Sequence, residues 1–188
     1  MRRVHILTAA VLSAVPAIAL AQTPAAPQTF TLSGNMVRGY QNIERNLLEA
    51  AEKMPEADYA FKPTPEIRPF GELVAHVALS QFGTCAALKG DVTPPHKDEK
   101  EDAKRSKGDL VALLKESAAY CDPVLTSLKD EDLPVLTKSG QNQAAKGLFL
   151  AGTVTHGNEM YGTMAVYLRL KGLVPPSTER QNAAKGHG

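Results

Sequence analysis

Two histidine residues lie at positions where a buried imidazole needs a partner. His156 falls in the segment 145–177, whose apolar residues recur at the period of a helix buried in a bundle. Gly172 and the Pro175-Pro176 pair end that helix. An imidazole is titratable and can ligate a metal, and leaving it unpaired on an inward face costs roughly 1 to 3 kcal/mol. We therefore expect His156 to face a hydrogen-bond partner or a ligand.

The second histidine, His76, has the same setting in another predicted helix. That helix starts at Pro69, whose missing N–H loses nothing in a first helical turn, and ends near Lys89 with Gly90 beyond it. His76 is therefore also a histidine of an inward helix face. The inward stripe of this helix consists of Leu73, His76, Val77, Ser80, Gly83, Thr84 and Ala87.

Two more helices are predicted from apolar residues at helical spacing, at about residues 33–54 and 107–128. In the first of them, Glu44 is expected on the outer, polar side. In the second, Pro123 is expected to bend the helix near its end. Together with the two histidine-bearing helices, they give four long helices.

Three connections join these helices. The segment 55–69 contains four prolines and cannot be helical throughout. Residues 91–108, rich in lysine and acidic side chains, are expected to form a solvated, mobile loop, and residues 130–146 a second polar connection.

The first residues, 1–21, have the pattern of a secretory signal peptide. Arg2 and Arg3 precede an apolar run, and Ala19-Leu20-Ala21 is a small-x-small cleavage site. We predict export to the periplasm or the exterior, with no membrane attachment after cleavage. The remaining boundaries are a flexible lead-in at 22–31, one bundle domain at 32–178 and a disordered tail at 179–188.

The overall composition suits one globular domain, because 43% of the 188 residues are hydrophobic. Loss of Arg2 and Arg3 with the leader lowers Lys+Arg from 21 to 19, against 20 acidic residues. Such a balance does not favour binding to nucleic acid or to an anionic membrane.

The two cysteines, Cys85 and Cys121, are an even pair in a chain that is predicted to be exported. This favours a disulfide over free thiols, with two small buried core residues as the alternative. Cys85 lies near the end of the second helix, and Cys121 lies well past the middle of the third. A bridge therefore predicts that these helices run parallel, with residues 91–108 carrying the chain back along the bundle.

Three segments make the sequence similar to the DinB-like superfamily: MPEADYAFKPTPEIRPFGELVAHVA at 54–78, KESAAYCD at 115–122 and HGNEMYGTMAVYLRLKGLVPPS at 156–177. With the first helix, the resemblance spans residues 32–178. It implies an all-α four-helix bundle with an up-down-down-up course and a long crossover between helices two and three. It also implies a divalent metal, often zinc or nickel, held by three histidines, and thiol-dependent transferase or isomerase activity.

The ligands that this resemblance implies are only partly present. His76 matches the family histidine on helix two, and His156 matches the first member of an H-x-x-x-H pair whose second position is Met160 here. A catalytic zinc site normally uses three protein ligands. Four interpretations remain: a weakened site completed by a carboxylate oxygen of Glu159; a Cu(I) site that uses the thioether of Met160; a metal-free pair hydrogen-bonded to neighbouring side chains or to each other; and histidines that only pack.

Two functions are compatible with these observations. The first is an exported metal-dependent transferase or hydrolase, in which an ion on His76 and His156 activates a thiol or water for attack on a small-molecule substrate. The second is a non-catalytic bundle with a degenerate metal site that binds a small ligand, a soft metal or a protein partner. Zinc or nickel is the expected cofactor of the first, copper is the alternative, and no metal is expected if the Met160 position is degenerate. A homodimer is compatible with the resemblance.

Overall fold

Four long helices form the body of the protein, and a short hairpin and a fifth helix are added to them. The computed structural model describes residues 30–140 and 142–186, so the predicted signal peptide and residues 22–29 lie outside the described part. Among the described residues, none of the helices combines the length and the apolar composition that a membrane span requires. The elements are α1 (Leu32–Lys53), α2 (Phe70–Lys89), α3 (Lys107–Thr126), β1 (Leu136–Ser139), β2 (Asn142–Ala145), α4 (Lys146–Leu170) and α5 (Pro176–Lys185).

Local signals set the ends of these helices. The Thr31 hydroxyl accepts a hydrogen bond from the backbone N–H of Gly34 and caps α1. Ser106 and Asp109 form a capping box at the start of α3. Gly90 and Gly172 follow α2 and α4 with φ of 78° and 73°, a conformation that glycine adopts at little cost. The four long helices consequently begin and end close to the predicted positions.

Helices α2 and α3 run parallel, as the cysteines predicted. Cys85 and Cys121 form a disulfide with a Cα–Cα distance of 5.3 Å near the carboxyl ends of both helices. Near the amino ends, a Cβ added to Gly71 would lie 3.2 Å from the side chain of Leu110. Two helices that approach at both pairs of like ends must have the same direction.

Helices α1 and α4 also run parallel and approach closely through glycine. A Cβ on Gly39 would lie 3.6 Å from Val154, and one on Gly157 would lie 3.2 Å from Ile43. Because 3.2 Å is tighter than an ordinary contact, Gly157 is a position where α4 needs the absence of a side chain to pack on α1.

Helices α2 and α4 run in opposite directions. The Tyr167 hydroxyl, late in α4, donates a hydrogen bond of 2.6 Å to the carbonyl of Arg68, just before α2. His156 lies before Tyr167 in the chain, whereas its partner His76 lies after Arg68. The two helices are therefore antiparallel. With the two parallel pairs, this gives the up-down-down-up course, so the predicted all-α four-helix bundle is confirmed. The largest fully buried side chains include Tyr40, Tyr167, Phe70, Phe82, Leu114 and Met164.

The connection predicted at 130–146 contains the only sheet in the described residues. Strands β1 and β2 pair antiparallel, with Leu136 opposite Ala145. The Thr137 hydroxyl donates to the carbonyl of Ala87, which ties the hairpin to the end of α2.

The prediction of a disordered tail at 179–188 is wrong for residues 179–185, which belong to α5. This helix is polar and has little apolar periodicity, so its sequence alone gave no reason to expect it. Its partners are on α1 and α4: Arg180 forms an ion pair with Glu49 and a hydrogen bond with Asn46, and the backbone N–H of Ser177 donates to the Tyr161 hydroxyl. Tertiary contacts, not an apolar face, hold this helix.

Candidate functional site

His76 and His156 meet between α2 and α4. Their Nε2 atoms are 3.0 Å apart, and the two rings are edge to face with centroids separated by 5.0 Å. A neutral imidazole has one nitrogen that donates and one that accepts, so one of these two Nε2 atoms carries the hydrogen. The two histidines predicted to lie on inward faces are therefore brought into one site, and each is the other's partner.

Glu101 is a third member of the site and was missed by the sequence reasoning. Its Oε1 accepts a hydrogen bond of 2.7 Å from His76 Nδ1, and its Oε2 lies 3.2 Å from Arg68 Nε. Glu101 belongs to the α2–α3 connection, residues 90–106, which was expected to be a solvated, mobile loop. No spacing in that charged run distinguishes Glu101 from its neighbours, so only the general need of a histidine for a partner on its second nitrogen pointed to such a residue.

The other two predicted site residues have different surroundings. Glu159 is exposed, and its charge acts on His156 without a hydrogen bond between them. Met160 is 8% exposed and belongs to the apolar core cluster that contains Ile43 and Leu47. Across residues 30–140 and 142–186, no group of three or more His, Cys, Asp or Glu side chains is arranged to hold a metal ion. The described side chains therefore fall short of a three-ligand zinc or nickel site.

A cavity of about 450 Å³ lies beside the histidine pair. We call it the α2–α4 cavity. Its size is within the range of small-molecule pockets, which is roughly 300 to 1,000 Å³. Apart from His156, none of the described residues that line it is acidic or basic. Its wall includes Val77 and Gln81 of α2, Asn142 and Ala144 of β2, and Phe149 and His156 of α4.

Glycine leaves part of this cavity open. Gly152 lines it, and a Cβ built on Gly152 would meet no other atom within 4 Å. Gly162, nearly three turns further along α4, is also free of neighbours but lies on the exposed face. The space at Gly152 thus belongs to the cavity, whereas the space at Gly162 belongs to solvent.

The electrostatics of the pair favour neutral His156. Burial lowers the pKa of His156, and the nearby His76 ring lowers it further, while Glu159 and Glu101 oppose this shift. A neutral imidazole at the wall of an uncharged cavity can accept or donate one hydrogen bond, act as a base or ligate a metal.

A second buried polar group lies deeper in the bundle. Glu44, expected on the outer side of α1, is only 6% exposed, and its Oε2 accepts a hydrogen bond of 2.6 Å from Gln81 Nε2. The Ser117 hydroxyl donates to Gln81 Oε1 at 2.6 Å. Gln81, which lines the α2–α4 cavity, therefore also holds a buried carboxyl group behind it.

Comparisons with known proteins agree with this fold. The family model of the DinB superfamily matches residues 40–161. The chain therefore belongs to the DinB superfamily. The match covers α1 to most of α4 and includes both histidines of the pair.

Solved structures show the same architecture. A DinB-like protein from Bacillus cereus is 16% identical, with a TM-score of 0.64 over 78% of this chain and 96% of that one. A DinB-like protein from Bacillus subtilis is 22% identical, with a TM-score of 0.59 over 73% and 92%. A conserved protein from Enterococcus faecalis is 16% identical, with a TM-score of 0.58 over 76% and 98%. At these identities the likeness concerns the fold alone. Among curated proteins, no match is found.

Proposed function

We propose that this member of the DinB superfamily is exported and binds a small, largely apolar molecule in the α2–α4 cavity, with His156 as its polar contact. The observation that carries the proposal is the cavity of about 450 Å³, which has an uncharged wall and His156 in it. Pockets for small ligands combine apolar walls with a few polar groups that fix orientation. The histidine pair is such a group, because His76 is hydrogen-bonded both to Glu101 and to His156.

Filling the cavity is the most direct test. Gly152→Phe places a ring in open space that belongs to the cavity, and Gly162→Phe places the same ring on the exposed face of the same helix. We expect toluene to bind the wild-type protein saturably, to bind Gly162→Phe equally well, and to bind Gly152→Phe at least about tenfold more weakly. Ligand-observed NMR titration measures the three affinities, after circular dichroism has shown that both variants are folded.

Two results would contradict the proposal. One is the absence of saturable toluene binding to the wild-type protein. The other is equal affinity in Gly152→Phe, which would place any binding outside the α2–α4 cavity.

A metal-dependent transferase or hydrolase is the second candidate, and one observation favours it. The Nε2 atoms of His76 and His156 point at each other, and the outer nitrogen of His76 is held by a carboxylate, as is common for metal-ligating histidines. An ion there would acidify a bound thiol or water. Two imidazoles are short of a catalytic zinc set, so we expect weak uptake of Zn²⁺ or Ni²⁺ and stronger uptake of Cu(I), which suits the thioether of Met160.

Metal analysis after dialysis tests this second candidate. Stoichiometric uptake that is lost in His76→Ala and in His156→Ala would support it. Met160→His supplies the third imidazole of the family pattern, and we expect it to raise zinc affinity by at least about tenfold. No uptake of zinc, nickel or copper by the wild-type protein, together with no gain in Met160→His, would end this candidate.

A further inference from the structure

We infer that the α2–α4 cavity selects neutral molecules that carry an O–H or N–H donor and discriminates against carboxylates, because the chain Glu101–His76–His156 fixes the free nitrogen of His156 as a hydrogen-bond acceptor. This inference rests on the proposed function. It adds the chemical class of the ligand and assigns Glu101 as a positioning residue.

The hydrogen-bond chain starts at Glu101. A carboxylate only accepts hydrogen bonds, and Glu101 also forms an ion pair with Arg68, whose Nε lies 3.2 Å from its Oε2. The hydrogen in the 2.7 Å contact with Oε1 therefore lies on His76 Nδ1. In a neutral His76 ring this leaves Nε2 as the acceptor.

The hydrogen bond between the two histidines then determines which nitrogen of His156, on α4, carries a hydrogen. His76 Nε2 accepts, so His156 Nε2, 3.0 Å away, must donate its hydrogen. A neutral His156 ring that donates from Nε2 has its lone pair on Nδ1. The neutral form agrees with the burial of His156, which disfavours its charged state.

The acceptor nitrogen is open to a ligand. In the described part of the chain, His156 Nδ1 makes no hydrogen bond, and the only buried side-chain nitrogen or oxygen without a partner is Glu44 Oε1. His156 Nδ1 is therefore not a fully buried atom, and His156 lines the α2–α4 cavity. A ligand that donates to this atom gains a hydrogen bond that an apolar ligand cannot make.

The other lining residues determine which ligand charge the cavity accepts. Apart from His156, no acidic or basic side chain is present among its described lining residues. A carboxylate would lose its hydration there without a counter-charge and would also face the lone pair of His156 Nδ1. The same wall accepts a neutral hydroxyl compound of similar shape.

Three probes with one framework test this selectivity: toluene, para-cresol and para-toluate. At pH 8 we expect para-cresol to bind about fivefold more tightly than toluene, the size of one hydrogen bond, and para-toluate more weakly than toluene. In His156→Phe the ratio of the para-cresol and toluene affinities should fall to about one. Titration calorimetry or ligand-observed NMR gives these ratios.

The positioning role of Glu101 can be tested by ¹⁵N spectroscopy. If Glu101 had only a structural role, its substitution would not change which nitrogen of His156 is protonated. In ¹⁵N spectra of the wild-type protein, His156 Nδ1 should resonate as an unprotonated nitrogen and Nε2 as a protonated one. In Glu101→Ala we expect a mixture of tautomers and a smaller para-cresol preference. Asp102→Ala, an exposed residue of the same connection, is the matched control and should change neither.

The outcomes separate this inference from the proposed function. Toluene binding without a para-cresol preference, or with equal affinity for para-toluate, overturns the ligand class and leaves the cavity proposal intact. A protonated Nδ1 on neutral His156 overturns the tautomer assignment, and this measurement needs no variant. Failure of toluene to bind overturns the proposed function itself.

Discussion

Glu44 is a carboxyl group inside the bundle with one oxygen, Oε1, that has no hydrogen-bond partner among the described residues. The pKa of Glu44 is raised from 4.5 to about 7, chiefly by burial; the hydrogen bond from Gln81 opposes this shift, and the charge of Asp122 adds to it. A folded-state pKa above the unfolded value means that the folded state binds the proton more tightly. The stability that this gives is complete below pH 4.5 and is lost as the pH rises through about 7.

This predicts a specific effect of Glu44→Gln, which resembles the protonated carboxyl group at every pH. At pH 5 the free energy of unfolding should be close to that of the wild-type protein. At pH 8 the variant should be more stable by up to about 3 kcal/mol, since each pKa unit corresponds to about 1.4 kcal/mol. Urea unfolding at both pH values measures the difference, with Glu159→Gln on the exposed face of α4 as the control. A variant that is less stable at pH 8 would refute the shift.

At the scale of single residues, the sequence located the histidines but not the two carboxylates that turn inward, Glu101 and Glu44. His76 and His156 were found because imidazoles on apolar stripes are conspicuous. Glu101 lies in a run of similar charges and Glu44 lies among the polar residues of α1, so neither has a local signature. Which carboxylate turns inward depends on neighbours that are distant in the chain, such as Gln81 for Glu44.

At the scale of elements, the disulfide is the covalent link between α2 and α3. It joins cysteines 36 residues apart in the sequence. By the loop-entropy account, a bridge of that span contributes roughly 3 to 4 kcal/mol. Cys85→Ala/Cys121→Ala should therefore lower the free energy of unfolding by about that amount, as measured by urea unfolding.

Reductant supplies the control for the disulfide. It should destabilise the wild-type protein to a similar degree and leave the double variant unchanged; an unchanged urea midpoint in the reduced wild-type protein would contradict the prediction.

Export can be tested by counting the thiols of the same two cysteines. We expect no free thiols in protein recovered after export of the full chain, and two in a leaderless chain produced in a reducing cytosol.

The α2–α3 connection is held by more than Glu101. The ring of His96, a residue with φ of 56°, is hydrogen-bonded through Nδ1 to Glu99 and through Nε2 to Glu116, whose carboxylates act as acceptors. The same ring packs on Phe82 with centroids 4.8 Å apart. The two carboxylates raise the pKa of His96. A segment whose composition is typical of a mobile loop is therefore anchored at two points, and this anchoring presents Glu101 to the histidine pair.

For the whole molecule, the sequence predicted most of the architecture. The four long helices have sustained apolar periodicity and clear end signals such as Gly90 and Gly172, and the cysteine positions predicted the parallel α2–α3 pair. The hairpin and α5 were not predicted, because short elements depend on partners elsewhere. Arg180 is an example, because its partner Glu49 lies 131 residues away in the sequence. No local sequence pattern therefore indicates this ion pair.

The parallel course of α2 and α3 has one more consequence. A helix of 20 residues is about 30 Å long, so the chain must travel back over roughly that distance before α3 can start beside the beginning of α2. This return path passes the outer side of His76 and carries Glu101 there. Glu101 thus belongs to a connection that the parallel topology requires but that is not part of the helix packing. We therefore expect that Glu101 can be substituted without altering the packing of the four long helices.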